Sequence, residues 1–125
     1  MLSIIVPCFN EEKIITKSIK TIANWSKSKN FDVEIVIVNN ASTDNTYKEL
    51  EKASEDFDIK ILNESSKGKG YAIKKALIKV KNSKVLILDA DLSTDPSEFN
   101  EEWLNENELL ILGSRYLGTE IGTPK

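Results

Sequence analysis

Val85-Leu86-Ile87-Leu88-Asp89-Ala90-Asp91 joins four apolar residues to two carboxylates that are one residue apart. The apolar run predicts a buried strand. Because side chains alternate along a strand, we expect Asp89 and Asp91 to leave the sheet on the same face. Two carboxylates in that arrangement can bind one divalent cation. The alternative is that both residues only cap the turn after the strand, but the apolar context favours a site for a metal-bound phosphate.

Short apolar runs alternate with amphipathic segments along the chain, which is typical of strand-helix-strand units around a mainly parallel sheet. The predicted strands cover residues 2–6, 33–38, 59–62, 85–88 and 109–112, and the predicted helices cover residues 11–27, 44–54, 69–81 and 96–105. Asp95, Pro96 and Glu98 form a capping-box start for the last helix. We therefore predict an α/β fold, a three-layer sandwich with a Rossmann-like sheet, in one domain over residues 1–125.

The composition excludes several classes of site. The chain has 125 residues and a net charge of −3, so nucleic-acid binding is not expected. Cys8 is the only cysteine and there is no histidine, which excludes an intrachain disulfide and a zinc site of the cysteine-histidine type. The apolar stretches are too short to span a bilayer, and the first residues lack the basic start of a secretory signal. We expect a cytoplasmic protein, with peripheral membrane association left open.

Polar clusters follow three of the predicted strands, at residues 7–12, 39–44 and 89–91. Ligands of doubly wound sheets bind beyond the carboxyl ends of the strands, so these clusters are expected to share one edge. The segment 66–72 follows the third strand, and its glycines allow close backbone approach where the next helix presents its amide end. This edge of the sheet is predicted to bind an anion.

Taken in order, these segments resemble the inverting glycosyltransferases of family 2 with the GT-A fold, the group that includes the dolichyl-phosphate mannose and glucose synthases. The segments that carry the resemblance are residues 4–7 with Asn10-Glu11-Glu12, residues 38–46, 68–76 and 89–96, and Gly113-Ser114-Arg115-Tyr116. The resemblance covers nearly all of the chain but only the donor-binding part of the longer family members. It implies a nucleotide-diphospho-sugar transferase that moves a hexose from a UDP- or GDP-linked donor, with inversion.

The resemblance also implies roles for individual residues. Asp89 and Asp91 would hold Mg²⁺ or Mn²⁺, with Asp91 as the direct ligand, and Ser93 stands where many relatives have a glutamine that helps the metal. Arg115 would lie by the acceptor and joins the two aspartates as a catalytic residue. The donor-binding positions are Pro7, Cys8, Asn10, Glu11, Asn39, Asn40, Ser42, Lys69, Asp89, Ala90 and Asp91.

Several alternatives stay open at this point. An asparagine oxygen accepts the imino hydrogen of uracil or guanine, so Asn40 does not fix the base, and Asn39, Asn40 and Ser42 also fit an ordinary polar turn. Glu11 also fits a first-turn acid favoured by the helix dipole. A polyprenyl or dolichyl phosphate acceptor needs no general base, whereas a saccharide acceptor needs one beyond residue 125. Homo-oligomer formation is also open. The rival functions are a phosphatase with Asp89 as nucleophile and a non-catalytic nucleotide-sugar-binding module or fragment.

Overall fold

The computed structural model describes residues 1–105 and 109–113. Within these residues, strands alternate with helices in the predicted order, which confirms the α/β fold class. The elements are β1 (Leu2–Cys8), α1 (Ile15–Lys27), β2 (Val33–Asn40), α2 (Thr46–Asp56), β3 (Lys60–Glu64), α3 (Lys69–Lys79), β4 (Lys84–Leu88), two 3-10 segments (Pro96–Glu98 and Glu101–Asn105) and β5 (Leu109–Gly113).

The strands form one parallel sheet in the order β3-β2-β1-β4-β5. β1 is central, and its Leu2 pairs with Val33 of β2 on one side and with Lys84 of β4 on the other. The chain steps outward from β1 through β2 to β3 and then returns to the far side of β1 for β4 and β5. This reversal places the topological switch point between β1 and β4, where doubly wound folds bind their ligands.

Helices pack on both faces of the sheet, as expected for a three-layer sandwich. On α1, Ile15, Ile19 and Ile22 are fully buried, and together with residues of α2 they pack against alternate residues of β1 and β2. α3 covers the opposite face and buries only the small residues Ala72 and Ala76 against the sheet. The contact of α3 with the sheet is therefore made mainly by small side chains, with Ile73 partly buried beside them.

The predicted α-helix over residues 96–105 is wrong in its type, although its start is confirmed. Asp95 accepts a hydrogen bond from Ser97 N at 2.8 Å, and Glu98 accepts one from Asp95 N at 3.1 Å. The first 3-10 segment then ends because Phe99 adopts an extended conformation. Asn100 Oδ1 accepts from the amide of residue 102 at 2.9 Å and so opens a second short segment.

Aromatic packing accounts for this interruption. Phe99 lies edge-on between Trp25 and Trp103, with ring centroids 6.0 and 5.6 Å away. Such edge-to-face contacts are favourable, and an extended Phe99 turns its ring into the core of the α1 layer. Both tryptophans are partly buried against this core.

The first helix begins later than predicted, at Ile15 rather than at residue 11. The amide of Glu11 donates to Thr46 Oγ1 at 2.8 Å, and the amide of Glu12 donates to Asp44 Oδ2 at 3.4 Å. These bonds tie the loop after β1 to the loop after β2. In the part of the chain that the structure describes, no helix combines the length and apolar character needed to cross a bilayer.

Candidate functional site

A cleft of about 470 Å³ opens at the carboxyl ends of β1 and β4, at the topological switch point. It brings together the loop after β1, the end of β2, the start of α3 and the turn after β4. The lining residues are Pro7, Cys8, Phe9, Glu11, Asn40, Lys67, Gly68, Lys69, Asp89, Ala90 and Asp91. Eight of the predicted site residues therefore meet in one cleft.

Asp89 and Asp91 lie in a turn after β4. The prediction that strand alternation brings them to the same face is therefore wrong. β4 ends at Leu88, and the amide of Leu92 donates to Asp89 O at 2.8 Å. Leu92 has a φ of 52°, a left-handed conformation that is uncommon for a leucine. Asp89 and Asp91 nevertheless both line the cleft, because the turn holds both residues at the carboxyl end of β4.

Asp89 is paired with a lysine of the next layer. Lys69 Nζ lies 2.6 Å from Asp89 Oδ1, and the two side chains are 51% and 31% exposed. Ser93 contacts both aspartates, because its hydroxyl donates to Asp89 Oδ2 at 3.4 Å and its amide donates to Asp91 Oδ1 at 3.0 Å. Ser93 therefore holds the carboxylates in place, a role that the motif comparison did not assign to it.

Negative charge accumulates on the β1 side of the cleft. Burial raises the pKa of Glu11, and the carboxylates of Asp91 and Asp44 raise it further. Partial desolvation opposes the ionisation of Asp44, but hydrogen bonds from Thr46 and Glu12 lower its pKa overall. Glu11 and Asp91 line the same cleft, so the first and fourth strand ends place these two carboxyl groups close enough to interact.

Asn10 and Ser42 shape this edge through contacts with each other's loops. Asn10 has a φ of 52°, and its Oδ1 accepts from the amides of Thr43 at 2.8 Å and Asp44 at 3.3 Å. In return, the amide of Asn10 donates to Ser42 Oγ at 3.0 Å. Neither residue lines the cleft, so the structure gives both of them a supporting position.

Asn40 anchors the loop that leads into α3. Its side chain is 5% exposed, its Nδ2 donates to Ser66 O at 2.7 Å and Glu64 O at 3.4 Å, and its Oδ1 accepts from Gly68 N at 3.0 Å. Gly68 has a φ of 130°, which suits glycine alone. Asn40 thus fixes the backbone on which Lys69 stands.

Asn39 points to the opposite face of β2 from Asn40. Its Nδ2 donates to Asn63 Oδ1 at 3.0 Å, while its own Oδ1 is buried without a hydrogen-bond partner among the described residues. An unpaired buried acceptor is costly, so this oxygen is suited to receive a donor group from a ligand or from water.

Cys8 and Ala90 contribute to the wall of the cleft without offering a reactive group. Burial raises the pKa of the Cys8 thiol to about 12, with further contributions from Glu11 and Asp44, and the thiol donates to Val38 O at 3.4 Å. Ala90 O accepts from Ser18 Oγ at 2.5 Å, which ties the β4 turn to α1. The Cys8 thiol is therefore expected to be unreactive in the folded protein.

The donor set fits a hard divalent cation held partly by the protein. Among residues 1–105 and 109–113, no three carboxylate, cysteine or histidine side chains form a complete metal cluster. Asp89 and Asp91 nevertheless both reach the cleft. Mg²⁺ and Mn²⁺ take oxygen ligands, and Mg²⁺ commonly binds through one or two carboxylates plus water and phosphate oxygens. The cleft therefore fits a cation that shares its coordination with a diphosphate.

Some site residues were missed by sequence reasoning, and one lies outside the described residues. Phe9 lines the cleft and is 45% exposed, a large apolar side chain that its place between Pro7 and Asn10 could have flagged. Lys67 also lines the cleft, although it was not among the predicted donor-binding positions. Arg115 lies beyond the described residues, so its predicted role stays a prediction.

Comparison with known proteins points to one family. Residues 3–120 match glycosyl transferase family 2. Over 91% of its length the chain is 38% identical to a dolichyl-phosphate β-glucosyltransferase of Trichomonas vaginalis, and over 91% it is 30% identical to that of Dictyostelium discoideum. The chain spans 40% and 39% of these two relatives.

Solved structures agree with this family match. A mannosyltransferase of Pyrobaculum calidifontis in complex with GDP-Man and Mn²⁺ aligns with 72% of this chain at a TM-score of 0.62 and 29% identity, over 27% of its own length. Staphylococcus aureus TarS in complex with UDP-GlcNAc aligns with 72% of this chain at a TM-score of 0.61 and 30% identity, over 26% of its own length. These matches confirm the resemblance and the GT-A fold that the motifs indicated.

Proposed function

The chain belongs to glycosyl transferase family 2, and we propose that its cleft binds the nucleotide diphosphate of a sugar donor together with Mg²⁺ or Mn²⁺. The observation that carries this proposal is the meeting of Asp89, Asp91, Lys69 and Glu11 in one cleft at the switch point. Family membership removes the phosphatase alternative. The chain spans about 40% of its curated relatives, so the activity of the whole protein is part of the proposal.

The charges of the cleft suit a diphosphate leaving group. Lys69 stands at the first turn of α3, where the amide end of the helix carries partial positive charge. A cation bound at Asp89 and Asp91 would neutralise the diphosphate and so favour its departure. Lys69 and the start of α3 are then placed to stabilise the charge that develops on the diphosphate as the glycosidic bond breaks.

We place the acceptor on the opposite side of the sugar from the diphosphate, because inversion requires attack from that side. A polyprenyl or dolichyl phosphate is the acceptor class we favour, since its phosphate oxygen is anionic and needs no general base. The two dolichyl-phosphate glucosyltransferases named above, which are relatives of this chain, support this choice. The base of the nucleotide stays open, because the structural neighbours carry GDP-Man in one case and UDP-GlcNAc in the other.

Calorimetric titration with UDP, GDP, UDP-glucose and GDP-mannose in the presence of Mn²⁺ tests the donor site. We expect saturable binding of at least one nucleotide and its sugar, and no saturable binding of any of the four would contradict the proposal. Transfer of labelled sugar to dolichyl phosphate then distinguishes an enzyme from a non-catalytic module. Sugar recovered in the lipid fraction would support transfer by the chain.

A further inference from the structure

A continuous part of the chain carries only positive charge. Residues 65–88 contain seven of the 17 basic residues of the chain and none of its 20 acidic residues, although the net charge of the whole chain is −3. The basic residues of this part are Lys67, Lys69, Lys74, Lys75, Lys79, Lys81 and Lys84. Most of them lie on α3, so this helix is basic on an otherwise acidic domain.

The outward face of α3 also exposes large apolar side chains. Ala72 and Ala76 face the sheet, which turns Tyr71, Lys74 and Ile78 toward solvent at helical spacing. Tyr71 is 58% exposed and Ile78 is 74% exposed. Among residues 1–105, Ile78 is the most exposed large apolar side chain.

A groove of about 430 Å³ runs along the same side of α3, between the helix and the loop after β3. Lys74, Lys75 and Lys79 line it, with Glu64 as its one acidic lining residue. Lys75 Nζ donates to Asn63 O. In the part of the chain that the structure describes, Lys74 and Lys79 have no carboxylate within 4.0 Å. Their charge is therefore available to an external partner.

We propose that this surface, the α3 outer face (Tyr71, Lys74, Lys75, Ile78 and Lys79), docks on an anionic lipid membrane. Lysines attract anionic headgroups, and a tyrosine and an isoleucine between them can enter the interface, which is the composition of helices that lie in the membrane plane. A second copy of the chain is a poor occupant, because two such faces would bring like charges together.

The position of this face relates it to the cleft. Lys67, Gly68 and Lys69 line the cleft at the start of α3, and Tyr71 follows in the same first turn of the helix. Docking through the α3 outer face would therefore place the mouth of the cleft beside the membrane surface, where a lipid-linked phosphate lies. This orientation rests on the proposed function, whereas the docking surface itself does not.

Cosedimentation with vesicles tests the proposal. We expect the chain to bind phosphatidylcholine vesicles that contain phosphatidylserine, not to bind phosphatidylcholine alone, and to bind less at high ionic strength. The double variant Lys74→Gln/Lys79→Gln should weaken binding roughly 25-fold, at about fivefold per lysine. Ile78→Ser should weaken it about tenfold by removing apolar insertion. The matched control Lys17→Gln/Lys20→Gln makes the same charge change on α1 and should bind like the wild type.

Three results would overturn the proposal. The first is equal binding to neutral and anionic vesicles, and the second is an equal loss of vesicle binding in Lys74→Gln/Lys79→Gln and in the control Lys17→Gln/Lys20→Gln. The third is a wild-type dimer that Ile78→Ser dissociates. The last result would assign the face to a second copy of the chain. Donor titration of the same variants separates this proposal from the proposed function. Unchanged donor affinity with lost vesicle binding supports membrane docking, whereas vesicle binding by a chain that binds no nucleotide sugar would contradict only the donor site.

Discussion

Replacement of Asn40 tests whether the loop that carries Lys69 is held by a single buried side chain. The two shorter hydrogen bonds of Asn40, to Ser66 O at 2.7 Å and from Gly68 N at 3.0 Å, are each worth about 1 kcal/mol net. The loss of both in Asn40→Ala, together with the small cavity left at a site that is 5% exposed, should lower the free energy of unfolding by roughly 2–3 kcal/mol. A domain with a typical stability of about 5–15 kcal/mol would still fold.

Asn40→Asp adds a pH dependence of known sign. The carboxylate can still accept from Gly68 N, but it faces Ser66 O and Glu64 O without a hydrogen to donate. Its pKa in the folded state should therefore lie above the unfolded value, so protonation favours folding. The variant should be less stable than Asn40→Ala at neutral pH and should recover stability as the pH falls below the folded pKa.

Urea denaturation followed by the fluorescence of Trp25 and Trp103 measures the stability of both variants. Both tryptophans pack on the other side of the sheet from α3, so their signal follows unfolding of the domain and not a local change at α3. With a slope of about 2 kcal/mol per molar urea, Asn40→Ala should lower the midpoint by roughly 1 M or more. Asn45→Ala is the control, since Asn45 is exposed and makes no side-chain cap bond. A loss below about 0.5 kcal/mol in Asn40→Ala, no larger than in the control, would refute the anchoring role.

Three other perturbations follow from the same contacts. Lys69→Gln should change the free energy of unfolding by less than about 1 kcal/mol, because the ion pair of Lys69 with Asp89 is partly exposed. The same variant should weaken donor binding about tenfold in calorimetry. Unchanged donor affinity would show that Lys69 does not belong to the donor site. Gly68→Ala should lower the free energy of unfolding by about 1–3 kcal/mol in thermal or urea unfolding, because Gly68 has a φ of 130°. Gly70→Ala should instead stabilise the first turn of α3, because there is open space around the added carbon. Similar losses in the two variants would contradict this contrast. For Glu34, burial opposes ionisation, but bonds from Lys81 N and Ser3 and the ion pair with Lys60 lower the pKa below its usual range. The contribution of Glu34 to the free energy of unfolding is therefore fully present above its pKa in the unfolded state, and it is lost as the pH falls through its pKa in the folded state. Between these two pKa values, the stability of Glu34→Gln should depend less on pH than the stability of the wild type.

The strands were predictable because each is a short apolar run bounded by polar residues. The five predicted strands all occur, and the end of β4 before Asp89 matches the prediction. The expectation that polar clusters share one edge also held, because it needs only parallel strands and short connections. The prediction of a helix over residues 96–105 was wrong because local capping signals do not indicate how Phe99 packs between two tryptophans that lie far apart in the sequence.

Most of the residues that line the cleft could be predicted from the sequence, but the internal geometry of the cleft could not. The motifs identified Asp89, Asp91 and Asn40. Asn10, Ala41 and Leu92 have left-handed conformations, which asparagine tolerates but which the residue types of Ala41 and Leu92 do not indicate. All three residues follow strand ends, where backbone strain shapes binding loops. The bonds that link Asn10 to the loop after β2 join residues more than thirty positions apart, so no local pattern indicates them.

The pairing of Asp89 with Lys69 likewise depends on the packing of α3 against the sheet. The two residues are 20 positions apart, and Asn40 holds the loop from which Lys69 reaches the end of β4, where the ion pair forms. Sequence alone placed Lys69 beside the nucleotide without a partner. The structure therefore adds the carboxylate that holds this lysine in the cleft.

The Mn²⁺ dependence of donor binding tests the central claim most directly. Calorimetry should be run with UDP-glucose and with GDP-mannose, each in the presence of Mn²⁺ and in the presence of a chelator. The proteins to compare are the wild type, Asp91→Asn and the control Glu55→Gln, which makes the same charge change at an exposed position of α2. One donor should bind the wild type and the control only when Mn²⁺ is present. Asp91→Asn should weaken that binding at least about a hundredfold, since a charge pair at contact distance is worth several kcal/mol in a partly exposed site. Equal donor affinity with and without Mn²⁺, or an Asp91→Asn variant that binds like Glu55→Gln, would contradict a metal-bound diphosphate in this cleft.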